Sequence, residues 1–355
     1  MNAPMPLFVE LCAGTAALSL RLHRDGARPP VSRMGAKTGY ADTILRVLGL
    51  MPGQRAERYL WCEPDPGVRL LLHAYRDAAL AKAAAAIIRS WAAEDPRALW
   101  ERLRAEGPPR LPDGEVDAGE VAREVLLHRW SFSQRGPSAG YGGPGTSPGM
   151  MLGRDESIGC ESTATGLGRT PTLPAAIAPD ARQVDPREVA RWAVSHALTG
   201  MSGGYDCASE RAARGERWGG DVRDFVPNRM SRIDAMPATI APDARAIDPG
   251  PALPPGTVVY ADPPYLNTTG YAADLPRAEV VTLARRWAAA GAVVCISEAE
   301  AIPELVAEGW YSVRIDGERM GQKRTFSKQQ AEWLTMNRPP AWTPSVQAAL
   351  FGGAR

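Results

Sequence analysis

Short apolar runs alternate with stretches of helical period at both ends of this chain, and that alternation limits the fold more than any other feature. Residues 7–11 (LFVEL) read as a buried strand, followed by a turn and a helix that Gly26 stops. A second amphipathic helix is expected over residues 39–53, with Ile44, Leu45 and Leu48 along one face. Residues 58–66 (RYLWCEPDP) form the next strand, and a long helical stretch broken at Pro96 follows. Strand, helix, helix, strand, helix is the order of an α/β layer fold with a parallel sheet. The pattern resumes late in the chain. Strands are expected at 258–261, 292–298, in WYSVRID and at 331–338, with helices between the first three. The last two strands, joined by GERMGQKRTFSKQQ, read as an antiparallel pair.

The middle of the chain breaks this rhythm. From residue 135 to 172, 23 of 38 residues are Gly, Ser, Thr or Pro. Such a segment buries too little apolar area to offset its ordering entropy, so residues 134–172 are expected to be a mobile loop. Two segments nearly repeat each other: LPAAIAPDARQVDP (173–186) and MPATIAPDARAIDP (236–249) agree at 10 of 14 positions. They read as matched extended arms with Ala-Pro-Asp turns. The expected organisation is therefore a split α/β domain (1–100 and 250–340), an inserted region (101–249) and a C-terminal tail (341–355).

Composition narrows the partners only a little. With 41 Lys and Arg against 40 Asp and Glu, the net charge of +1 neither demands nor excludes nucleic acid. The five cysteines form no CxxC pair and the four histidines lie far apart, so no metal site or disulfide framework is expected. No apolar run approaches a membrane span, and MNAPMP enters the first strand without room for a leader. A monomeric cytoplasmic protein is the expectation.

Chemistry concentrates where strands end, which is where open α/β sheets bind ligands. After the first strand, Gly14 allows close backbone approach, and the small Ala13, Thr15 and Ala16 keep that approach open. A helix starting near Thr15 would offer backbone amides to a carboxylate. An ordinary tight βα turn is the other reading, and a single glycine argues against a pyrophosphate cradle. After the second strand, Glu63 and Asp65 suit either ribose hydroxyls or the start of a helix, with Pro66 in its first turn.

The run ADPPY (261–265) ends another strand. A Pro-Pro corner cannot continue a sheet ladder and presents rigid carbonyl acceptors. Asp262 adds a fixed acceptor and Tyr265 a flat face. Acceptors converging on an exocyclic amine, beside a surface on which a base can stack, suit an aromatic amine made nucleophilic toward a methyl group. A rigid loop without chemistry is the alternative.

FVELCAGTAALSL together with ADPPY resembles the S-adenosylmethionine-dependent amino-methyltransferases that act on DNA. ADPPY matches their D/N/S-P-P-Y/F/W motif in the form typical of adenine enzymes. RMGAKTGYADTIL (33–45) is similar to the GGK segment of the Dam-like class, and LWCEPDPGVRLLLHAY to that class's second-strand motif. The order differs from most of that class: here the lysine segment follows the first-strand motif. Cys12 stands where an aromatic is usual and Ala16 replaces a second glycine, as in a divergent, phage-type branch.

The resemblance implies a Rossmann-like methyltransferase fold interrupted by a target-recognition insertion. It implies methylation of the N6 amine of an adenine flipped out of double-stranded DNA, with S-adenosyl-L-methionine as cofactor. Asp262, Pro263, Pro264 and Tyr265 would form the catalytic pocket. Glu10, Cys12, Ala13, Gly14 and Thr15 would line the cofactor, Glu63 and Asp65 would lie at its ribose, and Gly35 and Lys37 at its carboxylate. Arg129 and Arg135, in LLHRWSFSQRG, and Arg319, Lys323, Arg324 and Lys328, in the basic hairpin, are the candidate DNA contacts. Solvated basic loops are the alternative for each. Methylation of cytosine N4 and a degenerate DNA- or cofactor-binding subunit remain the competing functions.

Overall fold

The computed structural model describes residues 5–31, 36–109, 116–131, 141, 222–265, 274–315 and 332–343. Among these, seven strands form one sheet in the order β3-β2-β1-β4-β5-β7-β6. The strands are β1 (Phe8–Leu11), β2 (Tyr59–Cys62), β3 (Ala238–Ala241), β4 (Val258–Ala261), β5 (Val293–Glu298), β6 (Tyr311–Ile315) and β7 (Glu332–Met336). Every pair from β3 to β5 is parallel, whereas β7 runs antiparallel to both β5 and β6. The expected mostly parallel sheet with a terminal antiparallel pair is therefore present. Through its first five strands the order is that of a Rossmann-type sheet, with a reversed strand inserted before the last.

Parallel sheets are covered on both faces, which is why β1 and β4 carry no exposed residue. Successive side chains of a strand point to opposite faces. Phe8 enters one core layer, with Leu18, Ile44, Trp61 and Leu72, while Val9 and Leu11 enter the other, with Val259, Leu283, Trp287 and Ile296. The first layer is built by α1 (Ala17–His23), α2 (Ala41–Val47), α3 (Pro66–Arg76), α4 (Ala78–Ser90), α5 (Pro96–Ala105), α6 (Ala118–Trp130) and α7 (Val222–Met230). The second is built by α8 (Arg277–Ala289) and α9 (Pro303–Ala307).

Four aspartates punctuate the first layer. Asp65, Asp77, Asp95 and Asp117 each sit in extended backbone, and each accepts from amides in the first turn of the helix that follows. Each such cap contributes about 1 kcal/mol. Asp77 thus divides the expected long helix at a second point, ahead of the break at Pro96.

Two boundaries differ from expectation. Residues 238–241, assigned to the inserted region, are a strand of the sheet: Tyr59 to Cys62 pair with Ala238 to Ala241 in parallel register. The α/β unit therefore resumes before residue 250, because β2 takes its outer partner from the second copy of the near-repeat. Helices α5 to α7 also share the core of the first layer, as Trp100, Leu126 and Phe225 do. The first copy of the near-repeat and most of the Gly-rich stretch lie outside the described residues. Among the described residues no helix is long and apolar enough to cross a membrane.

Candidate functional site

Strand order reverses between β1 and β4: the chain leaves β1 toward β2 on one side, and β4 lies on the other. A crevice at the carboxyl ends of such strands is the binding position of open α/β sheets. The turn after β1 and the ADPPY corner after β4 both fall there.

The turn after β1 is tightly wound. Cys12, Gly14 and Ala16 all have positive φ (62°, 51° and 48°), the left-handed region that glycine tolerates and side chains resist. Space beside Gly14 is open, with no atom within 4 Å of where a Cβ would lie. The backbone amides here are mostly engaged. Ala13 N–H donates to Cys62 O at 2.8 Å, Gly14 N–H to Glu63 Oε2 at 2.8 Å, and Ala16 N–H to Ala13 O at 2.8 Å. Helix α1 begins at Ala17 and not at Thr15, with no side-chain cap. The expected array of free amides for a ligand carboxylate is therefore largely consumed by the turn. Thr15 is buried, and its hydroxyl has no hydrogen-bond partner among the described residues. It faces a small cavity between Gly67, Glu124 and His128.

The acids divide by role. Glu63 is buried at the end of β2, where its Oε1 accepts from Asp65 N–H at 3.0 Å while Oε2 holds Gly14. It locks the β1 turn to β2. Asp65 is the cap of α3, accepting from Gly67 and Val68 amides at 2.9 and 3.3 Å. Of the two readings open for Asp65, helix start describes its observed contacts. Glu10 lies beneath the turn, buried against α1, and its Oε1 accepts from Ser19 N–H at 2.7 Å. Trp61 Nε1–H donates to Ser19 Oγ in the same buried network. Burial pushes the Glu10 carboxyl up to about 7, against hydrogen bonds from Ser19 that pull it down.

Burial also raises the Cys12 thiol well above its ordinary value, and the carboxylates of Glu63, Asp262 and Asp243 raise it further. Three acids therefore reach the strand ends electrostatically. Asp243 follows β3 and escapes sequence reading because β3 itself does. Its carboxyl is held below the usual range by a hydrogen bond from Arg245.

The ADPPY corner meets a lysine from far away in sequence. Asp262 N–H continues the ladder to Leu11 O at 3.2 Å, and its side chain is 20% exposed. Lys37 leads a short 3-10 turn (Lys37–Gly39), and its Nζ donates to Asp262 Oδ1 at 2.6 Å. Lys37 was expected beside a cofactor carboxylate; its observed partner is Asp262. The lysine side chain is only 3% exposed. Its Nζ lies 4.8 Å from the centroid of the Tyr265 ring and 3.6 Å from Glu332 Oε1. The Tyr265 hydroxyl donates to that same Glu332 oxygen. Pro263 is buried and Pro264 half-buried between these groups.

Glu332 was not singled out in the sequence, though a signal exists. On β7 it shares the face of Leu334 and Met336, both fully buried, so period-2 alternation places an acid in a core register.

Of the candidate DNA contacts only Arg129 falls among the described residues. It is buried at 9% exposure, with its guanidinium 5.3 Å from the Phe225 ring, a placement that leaves little surface for a phosphate. Gly35, Arg135, Arg319, Lys323, Arg324 and Lys328 lie outside the described residues. No group of three or more potential metal ligands occurs among the described residues.

Neither a known protein family nor a curated protein matches the chain.

Proposed function

We propose that the protein is a site-specific DNA methyltransferase acting on the N6 amine of adenine, with S-adenosyl-L-methionine as methyl donor. The observation that carries this reading is the cluster of Lys37, Asp262, Tyr265 and Glu332 at the switch point, joined to the end of β1 by the Asp262 N–H bond to Leu11 O.

The crevice suits a cationic nucleoside. Open space at Gly14 and the carboxylate of Glu63 are the groups that would hold it, and the field of Glu63, Asp262 and Asp243 favours positive charge. When bound, the cofactor supplies an electrophilic methyl on a sulfonium.

The chain's own residues act on the acceptor amine. Asp262 offers a carboxylate held in place by Lys37, so an acceptor for the amine's hydrogen is oriented before the base arrives. The Pro263–Pro264 corner fixes the backbone that carries it. The Tyr265 ring, anchored at its hydroxyl, gives the base a face on which to stack. A base inside a duplex cannot reach this crevice, so it must be extruded, at a cost of a few kcal/mol. The amine would attack the methyl directly as the sulfonium's carbon–sulfur bond breaks to leave a neutral thioether, and the alkylated amine would give up its proton toward the Asp262 carboxylate; no covalent enzyme intermediate is required.

The test is expression of the full chain in a host free of DNA methylation, followed by sequencing with modified-base detection. N6-methyladenine at one short motif is expected, and Asp262→Ala should abolish it while the purified variant still binds cofactor. N4-methylcytosine would move the assignment to the cytosine enzymes. No modified base in any DNA tested, or near-normal turnover by Asp262→Ala, would overturn it.

A further inference from the structure

We infer that Glu332 is a positioning residue for the target base, setting the plane of the Tyr265 ring through its hydroxyl; the inference rests on the methyltransferase reading above. A carboxylate in a core register is costly unless each oxygen is partnered. Its neighbours on that face of β7, Leu334 and Met336, are apolar and fully buried. Glu332, with a side chain 0% exposed, uses one oxygen for two tasks: Oε1 accepts from the Tyr265 hydroxyl and lies 3.6 Å from Lys37 Nζ.

The geometry makes the ring a defined surface. A phenol ring held only by packing can rotate about χ2 and slide. Held at its hydroxyl by an acceptor on a strand paired on both sides, its edge is fixed. The ammonium of Lys37, 4.8 Å from the ring centroid, covers one face by a cation–π contact. That leaves the opposite face for a base, on a ring that is 5% exposed among the described residues. The same ammonium orients Asp262. Glu332 therefore ties the stacking surface and the amine acceptor to one anchor from β7, a strand paired with β5 and β6 and not with β4. Removing the anchor should leave every group that touches the base in place but loosely held. Misplacement of about 1 Å at a reacting centre lowers rates by on the order of 10²-fold.

The experiment uses the purified full chain, cofactor, and duplex DNA carrying the motif mapped by modified-base sequencing. Single-turnover methyl transfer and cofactor affinity are measured for wild type, Tyr265→Phe, Glu332→Ala, Glu332→Gln and the Tyr265→Phe/Glu332→Ala double variant. Thermal melts confirm folding. Glu332→Ala should lose about 10²-fold in rate, as a loosened reacting geometry does, with cofactor affinity unchanged. Tyr265→Phe should lose as much, and the double variant no more than either single change, because both remove one interaction. Glu332→Gln keeps an acceptor oxygen for the hydroxyl and should retain most of the rate. If Glu332→Ala fails to fold, the same cycle is run with Tyr265→Phe and Glu332→Gln, and a mild glutamine variant beside a damaged phenylalanine variant supports the inference. Losses that multiply in the double variant, or a glutamine variant as poor as the alanine one, overturn it while leaving the methyltransferase reading intact. A wild-type protein without methyl transfer overturns both.

Discussion

Replacing Glu10 by glutamine should make the protein more stable at neutral pH and remove part of the stability it loses as pH rises from about 4.5 to about 7. Glu10 is buried beneath α1, and its carboxyl is raised from 4.5 to about 7, chiefly by burial. In the unfolded chain the group gives up its proton near 4.5; in the folded protein it keeps it until about 7. Between those values the folded state holds the extra proton, so stability falls as pH rises through this window and is level above it. At about 1.4 kcal/mol for each tenfold change, the gap corresponds to about 3 kcal/mol. Glutamine has no proton to lose and keeps a carbonyl for the Ser19 amide, which Glu10 accepts at 2.7 Å. The stability difference between variant and wild type should therefore be small at pH 4.5 and grow to about 3 kcal/mol in favour of the variant by pH 7.5. Urea midpoints of both proteins at half-unit steps of pH measure this, and the comparison cancels every other titrating group. A difference that does not change with pH would refute the reasoning, because it would mean that Glu10 titrates alike in both states.

Two further substitutions probe the packing around the site. Gly67→Ala should destabilise the fold by about 1–3 kcal/mol by overpacking, since the new Cβ would lie 2.4 Å from Glu124 Oε2 and 2.7 Å from His128 Cε1; chemical denaturation at neutral pH reads it, and an unchanged midpoint would show that α6 gives way freely. Lys37→Met should leave Asp262 and Glu332 without their shared cation, costing about 3–5 kcal/mol as for other broken buried pairs, and it should abolish methyl transfer. A stable Lys37→Met protein with normal transfer would remove Lys37 from the site.

Much of the sheet was legible because its strands are buried on both faces. LFVEL, YLWC, VVY and AVVCIS are apolar runs of a kind that only a covered strand explains, and β1, β2, β4 and β5 fall on them. β3 was not legible. As an edge strand it is only partly buried, lacks an apolar run, and lies between Pro237 and Pro242, residues that usually mark a loop. The break at Asp77 was hidden because helix-forming sequence on both sides, leucine-rich before it and alanine-rich after it, supports a helix, and only the backbone decides that Asp77 caps one. At the site, the ADPPY corner announced itself by local chemistry. The Lys37–Asp262 bond spans 225 residues of sequence; the resemblance to the GGK segment implied a lysine facing the cofactor, and the fold supplied a different partner. Glu332 stood in plain alternation with Leu334 and Met336 and was passed over as part of an ordinary strand.

The pairing of β2 with the second near-repeat copy sets a problem of choice during folding. Ala238 to Ala241 take the edge of β2 through main-chain hydrogen bonds, which do not read side chains. The first copy, at 173–186, carries the same Ala-x-Ile-Ala-Pro-Asp sequence and leaves the ribosome earlier. The side chains discriminate weakly. The copies differ within the strand only at Thr239, which is exposed, where the first has Ala176. Preference must then come from what is attached. Only the second copy is preceded by α7, which packs on α4, and Met236 N–H bonds Tyr75 O just ahead of the strand. Docking of α7 holds the correct copy near the edge at high effective concentration. The fidelity of that edge is thus a matter of tethering, set by a helix outside the sheet.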